Sequence, residues 1–148
     1  MLAKSHISDI MTPVVFYWSF NDYVEGGQNP IEVWRINGLT DTGRFAFNSL
    51  LKNTAKTANH LQWGGFDPLQ GKPKKHKIWE LKFFADGKQY RVLGVFFGPA
   101  KNVVLLIGCS HKGKVYTPPN ALETAIKRAK ALRGGKGGYV GRTIRLDL

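Results

Sequence analysis

Hydrophobic and polar positions divide the chain into segments of two different periods. Residues 14 to 20, Val-Val-Phe-Tyr-Trp-Ser-Phe, are β-branched and aromatic and predict a strand. Asn21 to Gln28 turns polar, carries Gly26-Gly27 and predicts a loop. In Asn29-Pro30-Ile31-Glu32, Asn29 can cap a helix and Pro30 suits its first position. Glu32 is placed to reach back to the Asn29 amide. A short helix to about Ile36 is expected, ended by Asn37-Gly38. Thr40 or Asp41 then caps a second helix, with Phe47, Leu50, Leu51, Ala55, Ala58 and Leu61 at helical spacing as far as Trp63-Gly64-Gly65. The two helices make a hairpin, and residues 64–77 predict a basic loop.

From Ile78 the period changes to two. Ile78 to Phe84 predicts a strand, and Asp86-Gly87 a tight turn. Gln89 to Phe97 returns as a second strand. A turn at Gly98-Pro99-Ala100-Lys101-Asn102 leads to a third, Val103 to Cys109, apolar enough to be central and covered on both faces. Short connections make these three an antiparallel meander. A basic loop, Ser110 to Tyr116, leads to Thr117-Pro118-Pro119, with Thr117 expected to cap the last helix. Its apolar stripe is Leu122, Ala125, Ile126, Ala129 and Leu132, with Lys127, Arg128, Lys130 and Arg133 outside it. Gly134-Gly135 ends the helix. The fold class is therefore α+β: N-terminal strand, helical hairpin, three-stranded antiparallel meander and closing C-terminal helix.

The length of 148 residues suits one domain, read as residues 1–133 followed by a basic, Gly-rich tail, 134–148. For that tail a disordered arm and an added edge strand both stay open. No apolar run is long enough to span a bilayer, and Met1-Leu-Ala-Lys-Ser-His lacks the apolar centre of a signal peptide. A cytoplasmic location is the expectation. The single cysteine, Cys109, cannot form an internal disulfide and reads as a buried thiol.

Charge narrows the partner. Lys and Arg number 22 against 10 acids, a net +12 with pI near 10.0. Such a surplus concentrates polyanions, and nucleic acid is the natural one. An acidic protein partner, or mere solubility, are the alternatives. A membrane is not expected, because no amphipathic basic helix with bulky apolar anchors is evident. Cys109 and the four His have no zinc spacing, and no carboxylate cluster, P-loop or Gly-x-Ser-x-Gly elbow is present. Neither metal nor cofactor is expected.

Specific residues then carry a resemblance. Ile78-Trp79-Glu80-Leu81-Lys82-Phe83 followed by Tyr90-Arg91-Val92-Leu93 resembles the "WELR…YRVLY" core of RelE-superfamily toxins, nearest the HigB-like, phage-associated branch. Val103 to Gly108 is similar to that family's third meander strand. His111-Lys112-Gly113-Lys114-Val115-Tyr116-Thr117-Pro118 resembles its basic loop and helix start. Ala125-Ile126-Lys127-Arg128-Ala129 is similar to its final helix, and Asn29 to Trp34 to its hairpin opening. The resemblance spans roughly residues 14 to 133. It implies a RelE-like fold and an endoribonuclease toxin of a type II toxin–antitoxin pair. Such toxins cut mRNA, often on the ribosome. A cognate antitoxin, expected to be a helix-turn-helix protein, would neutralise this one. Oligomeric state stays open.

Cleavage of RNA without a metal needs a base for the ribose 2′-OH, an acid for the leaving 5′-oxygen and positive charge on the phosphorane. Arg91, His111, Lys112 and Tyr116 are the candidate catalytic residues. The resemblance implies that Arg91 clamps the scissile phosphate; a surface charge or structural ion pair is the plainer alternative. Tyr116 either moves a proton, stacks a base or packs on the helix. His111 is an acid, a base or an ordinary surface residue. Lys112 and Lys114 contact phosphate or are simply solvated. Lys74, Lys75, His76 and Lys77 either grip an RNA backbone or form a solvated basic loop. Trp79, Phe83, Phe84, Phe96 and Phe97 are core by default. Two rival functions stand beside the enzyme: a non-catalytic RNA- or ribosome-binding module, and a phage-borne protein-interaction module.

Overall fold

Alternation over Trp79–Ala85 and Lys88–Phe96 builds two long strands, β3 and β4, joined through Asp86 and Gly87. Both turn residues have left-handed backbone, φ 53° and 72°, as a two-residue hairpin turn requires. The structure, a computed structural model, describes residues 14–144. The other elements are β1 (Ser19–Val24), α1 (Pro30–Gly38), α2 (Asp41–Ala55), β2 (Phe66–Pro68), β5 (Asn102–Lys112), β6 (Val115–Thr117), α3 (Ala121–Arg133) and β7 (Gly138–Gly141). Together the described residues form a mixed α+β fold of three α-helices and a seven-stranded sheet. The sheet order is β2-β3-β4-β5-β1-β7, with β6 beside β5. The meander β3-β4-β5 is antiparallel, β1 lies parallel to β5, and β7 runs antiparallel to β1.

Helices cover both faces of the sheet. On one, Ile31, Leu39, Phe47, Leu51 and Ala55 of the helical hairpin and its linker pack with Phe20, Leu81, Val92, Val103 and Leu105. On the other, Ala121, Ala125, Ala129 and Leu132 of α3 pack with Leu93, Val95, Val104 and Leu106. β5, between β4 and β1, is accordingly buried from Asn102 to Cys109. Glycine seats α1: the Trp34 ring lies on Gly108 so closely that a Cβ there would fall inside it. Gly108→Ala should cost about 1–3 kcal/mol through this overpacking. A thermal melt equal to wild type would show that Trp34 has another place to go.

Several sequence expectations change. The first strand is Ser19–Val24 and not residues 14–20, so Asn21 to Val24 are strand where a loop was expected. Asn21 and Asp22 are poor strand formers, but both are buried and bonded: Asn21 Nδ2 donates to Asn102 Oδ1 at 2.9 Å and to the Val103 carbonyl at 2.9 Å. The second helix stops at Ala55, short of Trp63. External donors take the carbonyls that would continue it: Tyr17 N bonds Ala55 O, Trp63 Nε1 bonds Thr57 O and Trp18 Nε1 bonds Ala58 O. Asn29 and Thr40 cap their helices as expected, but the Glu32 carboxylate turns to Arg35 and Arg142. The loop 64–77 holds the short strand β2 and a 3-10 turn over Lys72–His76. Residues 110–116 form a hairpin with β6 and not a loop. Thr117 belongs to β6, and Asn120 precedes α3. Residues 138–141, within the Gly-rich tail, are the edge strand β7. The apolar turn at 143–146 lies outside the described residues beyond Ile144. Among the described residues no helix is long and apolar enough to cross a membrane.

Candidate nucleic-acid interface

Strand period and register decide which side chains meet. Lys82 pairs with Arg91, Phe84 with Gln89, Gln89 with His111, Arg91 with Cys109 and His111 with Tyr116. Glu80, Lys82, Phe84, Gln89, Arg91, Cys109, His111 and Tyr116 therefore share one sheet face. It is the face packed by α3. The helix covers Leu93, Val95 and Ile107, and the sheet runs on past it, leaving that end open. Two cavities of about 520 and 430 Å³ lie there, and both are lined by Phe84 and Gln89. The larger wraps the end of the sheet, adding His111 from this face and Lys88, Ser110, Lys112 and Thr117 from the other; the smaller adds Lys82 and Arg91.

Arg91 is held from one end. Its Nη1 donates to both Glu80 carboxylate oxygens at 2.8 and 2.5 Å, with the two side chains 13% and 7% exposed. Its Nη2 makes only a 3.3 Å bond to Gln89 Oε1, and its Nε is buried without a partner. Two other arginines show what that edge normally does. Arg35 places Nε and Nη2 on Glu32, and Arg142 places the same pair on Asp22, every contact at 2.8 Å. In Arg91 this bidentate edge has no anion: Nη2 meets only the Gln89 amide and the buried Nε meets no partner.

His111 and Tyr116 stand edge to face, ring centroids 4.7 Å apart. Partial burial and then the Arg91 charge hold the His111 imidazole below its usual range, against the pull of Glu80. Burial, then the Glu80 charge, pushes the Tyr116 phenol up to about 12. At neutral pH the imidazole is thus an uncharged proton acceptor and the phenol a proton donor. Burial likewise pushes the Cys109 thiol up to about 12, which leaves it protonated beneath Arg91 and no nucleophile.

The candidates from sequence fall into two groups. Arg91, His111 and Tyr116 come together on this face; Lys112, next in β5, alternates to the other side and meets His111 only along the larger cavity, and Lys114 is exposed in the β5–β6 turn. Lys74, Lys75, His76 and Lys77 lie elsewhere, on the 3-10 turn at the far end of α3, where Arg133 Nη1 donates to the His76 carbonyl at 2.6 Å. The stretch of β3 from Trp79 to Lys82, which lies between the two groups, alone spans roughly 10 Å. Glu80, Lys82, Phe84 and Gln89 were not singled out in the sequence for this face. The Asp86-Gly87 turn was the available signal, because a two-residue hairpin loop sets Phe84 opposite Gln89 and Lys82 opposite Arg91. Among the described residues no three His, Cys, Asp or Glu side chains gather as ligands for a metal ion.

The sequence profile of the family described as "Phage derived protein Gp49-like (DUF891)" matches residues 35–130. The match runs from α1 to the last turn of α3 and contains every candidate residue above. The chain belongs to this family. Gp49-like proteins are commonly toxins of toxin–antitoxin pairs, and membership implies an antitoxin as partner. No curated protein and no solved structure matches the chain.

This Gp49-like chain has a second polar centre outside the matched span. Arg142, 9% exposed, grips Asp22 through two bonds and reaches Glu32 with a third, and Asn29 Nδ2 also donates to Asp22 at 2.9 Å. Hydrogen bonds from Arg35 and then Arg142 outweigh burial and hold the Glu32 carboxyl at about 2. The arrangement fastens the end of β7 to β1 and α1. All its anions and cations are paired with one another, so it reads as a tether.

Proposed function

We propose that this Gp49-like protein is a toxin of the RelE/HigB type, an endoribonuclease that cuts mRNA on the ribosome without a metal. A cognate antitoxin of the helix-turn-helix kind holds it inactive. The observation that carries the reading is the Nε/Nη2 edge of Arg91, which meets the Gln89 amide but no anion, beside a neutral imidazole and a protonated phenol. In the reaction, His111 accepts the 2′-OH proton as the 2′-oxygen bonds to phosphorus. The Arg91 fork holds the negative phosphorane oxygens, and Lys112 adds positive charge from the rim of the larger cavity. Tyr116 gives its proton to the 5′-oxygen as the P–O5′ bond breaks. The products are a 2′,3′-cyclic phosphate and a 5′-hydroxyl. The Lys74–Lys77 turn, at the other end of α3, grips a separate stretch of RNA backbone.

Purified protein given ribosome-bound mRNA, with a chelator present, should leave 2′,3′-cyclic phosphate ends. The rate should fall on the acid side as His111 gains its proton, with the half-point below the ordinary histidine range because its pKa is lowered. No loss should come from Tyr116 on the alkaline side until far above neutrality. Uncut RNA, or an acid limb unmoved in His111→Gln, would remove this reading.

One observation favours a second reading. Glu80 already neutralises Arg91. An arginine locked in a structural ion pair suits a module that binds RNA without cutting it. That reading expects salt-sensitive binding with the RNA recovered whole.

A further inference from the structure

We propose that Phe84 is a base-stacking platform for single-stranded RNA, seating one nucleobase beside the phosphate that Arg91 holds. The inference rests on the reading of this face as the RNA site. It adds what the site recognises there: an unpaired base, and not the sugar–phosphate chain alone.

Strand alternation sends the neighbouring phenylalanines to opposite faces. Phe83 packs inward, its centroid 5.2 Å from Tyr90, 5.9 Å from Phe47 and 6.3 Å from Trp34. Phe84 is 64% exposed, and among the described residues no aromatic ring lies against it. An isolated exposed apolar residue is ordinary. Two observations set this one apart. Phe84 lines both cavities on the open face, so a flat group entering either one meets its ring. Unpaired positive charge also outnumbers unpaired negative charge near it: Glu80 is paired with Arg91 and Asp67 with Lys82 at 2.5 Å, which leaves Asp86, bonded to the Thr40 hydroxyl, against two lysines. Lys88 and Lys112, on the wall of the larger cavity, have no ion pair among the described residues.

An aromatic platform beside a basic groove is how sequence-tolerant single-strand binding is built, because every base has a π-face. Phe84 and Arg91 are diagonal neighbours across β3 and β4, about 7–8 Å apart. One nucleotide bridges that gap, its base on Phe84 and its phosphate at Arg91. A duplex keeps its bases stacked inside, so it cannot use the platform.

The test compares wild type, Phe84→Leu and Phe84→Trp by anisotropy of a short labelled single-stranded RNA carrying 2′-O-methyl riboses, which bind but cannot be cut. Phe84→Leu should weaken binding about ten-fold and Phe84→Trp should keep it. The salt slope should stay as in wild type for both, whereas Lys112→Ala should lower it by about one. An abasic site at one position of the RNA should reproduce the Phe84→Leu loss, and the two losses should not add. Single-strand binding that is equal in all three proteins overturns the platform and leaves the ribonuclease reading standing. Duplex RNA bound as well as single-stranded RNA overturns it too. A Phe84→Leu effect confined to antitoxin binding gives the cavity to a protein partner instead. Wild type that binds no free RNA yet cuts ribosome-bound mRNA overturns the platform alone; wild type that does neither removes both readings together.

Discussion

Arg91→Ala should lower RNA cleavage about 10²- to 10³-fold, the scale of losing a preorganised donor to a developing oxyanion. Arg91→Lys should fall nearly as far, because an ammonium keeps the charge and loses the Nε/Nη2 fork. The stability effect must be separated from the chemical one. Glu80 is 7% exposed in its side chain, so removing Arg91 leaves a buried carboxylate without its partner. Glu80→Gln is the control: it removes that charge, leaves the guanidinium in place and tests whether the anion-free edge works without its anchor. The cleavage assay and a thermal melt of each variant decide the matter. An Arg91→Lys protein that cuts at the wild-type rate would rule out bidentate phosphate binding by this residue.

Arg142→Ala should destabilise the fold by about 3–5 kcal/mol, the range for removing one member of a buried ion pair. Asp22, 4% exposed in its side chain, would keep only the Asn29 amide, and Glu32 only Arg35. A melting temperature lower by roughly 10 °C is the corresponding signal. Arg142→Ala combined with Asp22→Asn should recover part of the loss, since the orphaned charge goes with its partner. Equal melting of wild type and Arg142→Ala would mean that β7 is held by its backbone ladder alone.

The central meander was legible in the sequence for a local reason. The alternation of Trp79 to Phe84 and of Gln89 to Phe96, with Asp86-Gly87 between, specifies two strands and their pairing without any distant residue. The first strand was not legible, because what makes Asn21 and Asp22 acceptable in a strand lies far along the chain. Asn21 is satisfied by Asn102, 81 residues on, and Asp22 by Arg142, 120 residues on. The early end of α2 has the same origin: Trp18 and Trp63 take carbonyls that periodicity assigns to the helix. At the candidate site, the family resemblance pointed to Arg91 and to the loop from His111 to Tyr116, and register brings Arg91, His111 and Tyr116 onto one face. Glu80 and Phe84 were hidden, one inside a motif and one among aromatics counted as core. Only the face each occupies separates Phe84, which is exposed, from Phe83, which packs on the helical hairpin.

The parallel pairing of β1 with β5 also sets an order of events. A strand made first cannot find its neighbour until residues 102–105 exist, nor its outer neighbour until residues 138–141 follow. The successive pairings β3–β4, β4–β5 and β5–β6 are short-range and close quickly, while those of β1 carry the largest loop-closure cost among the described strands. During vectorial synthesis the face holding Arg91, His111 and Tyr116 can therefore assemble while the amino-terminal strand still waits for its partners. Arg142, just beyond β7, fastens that strand only after both β5 and β7 have been made.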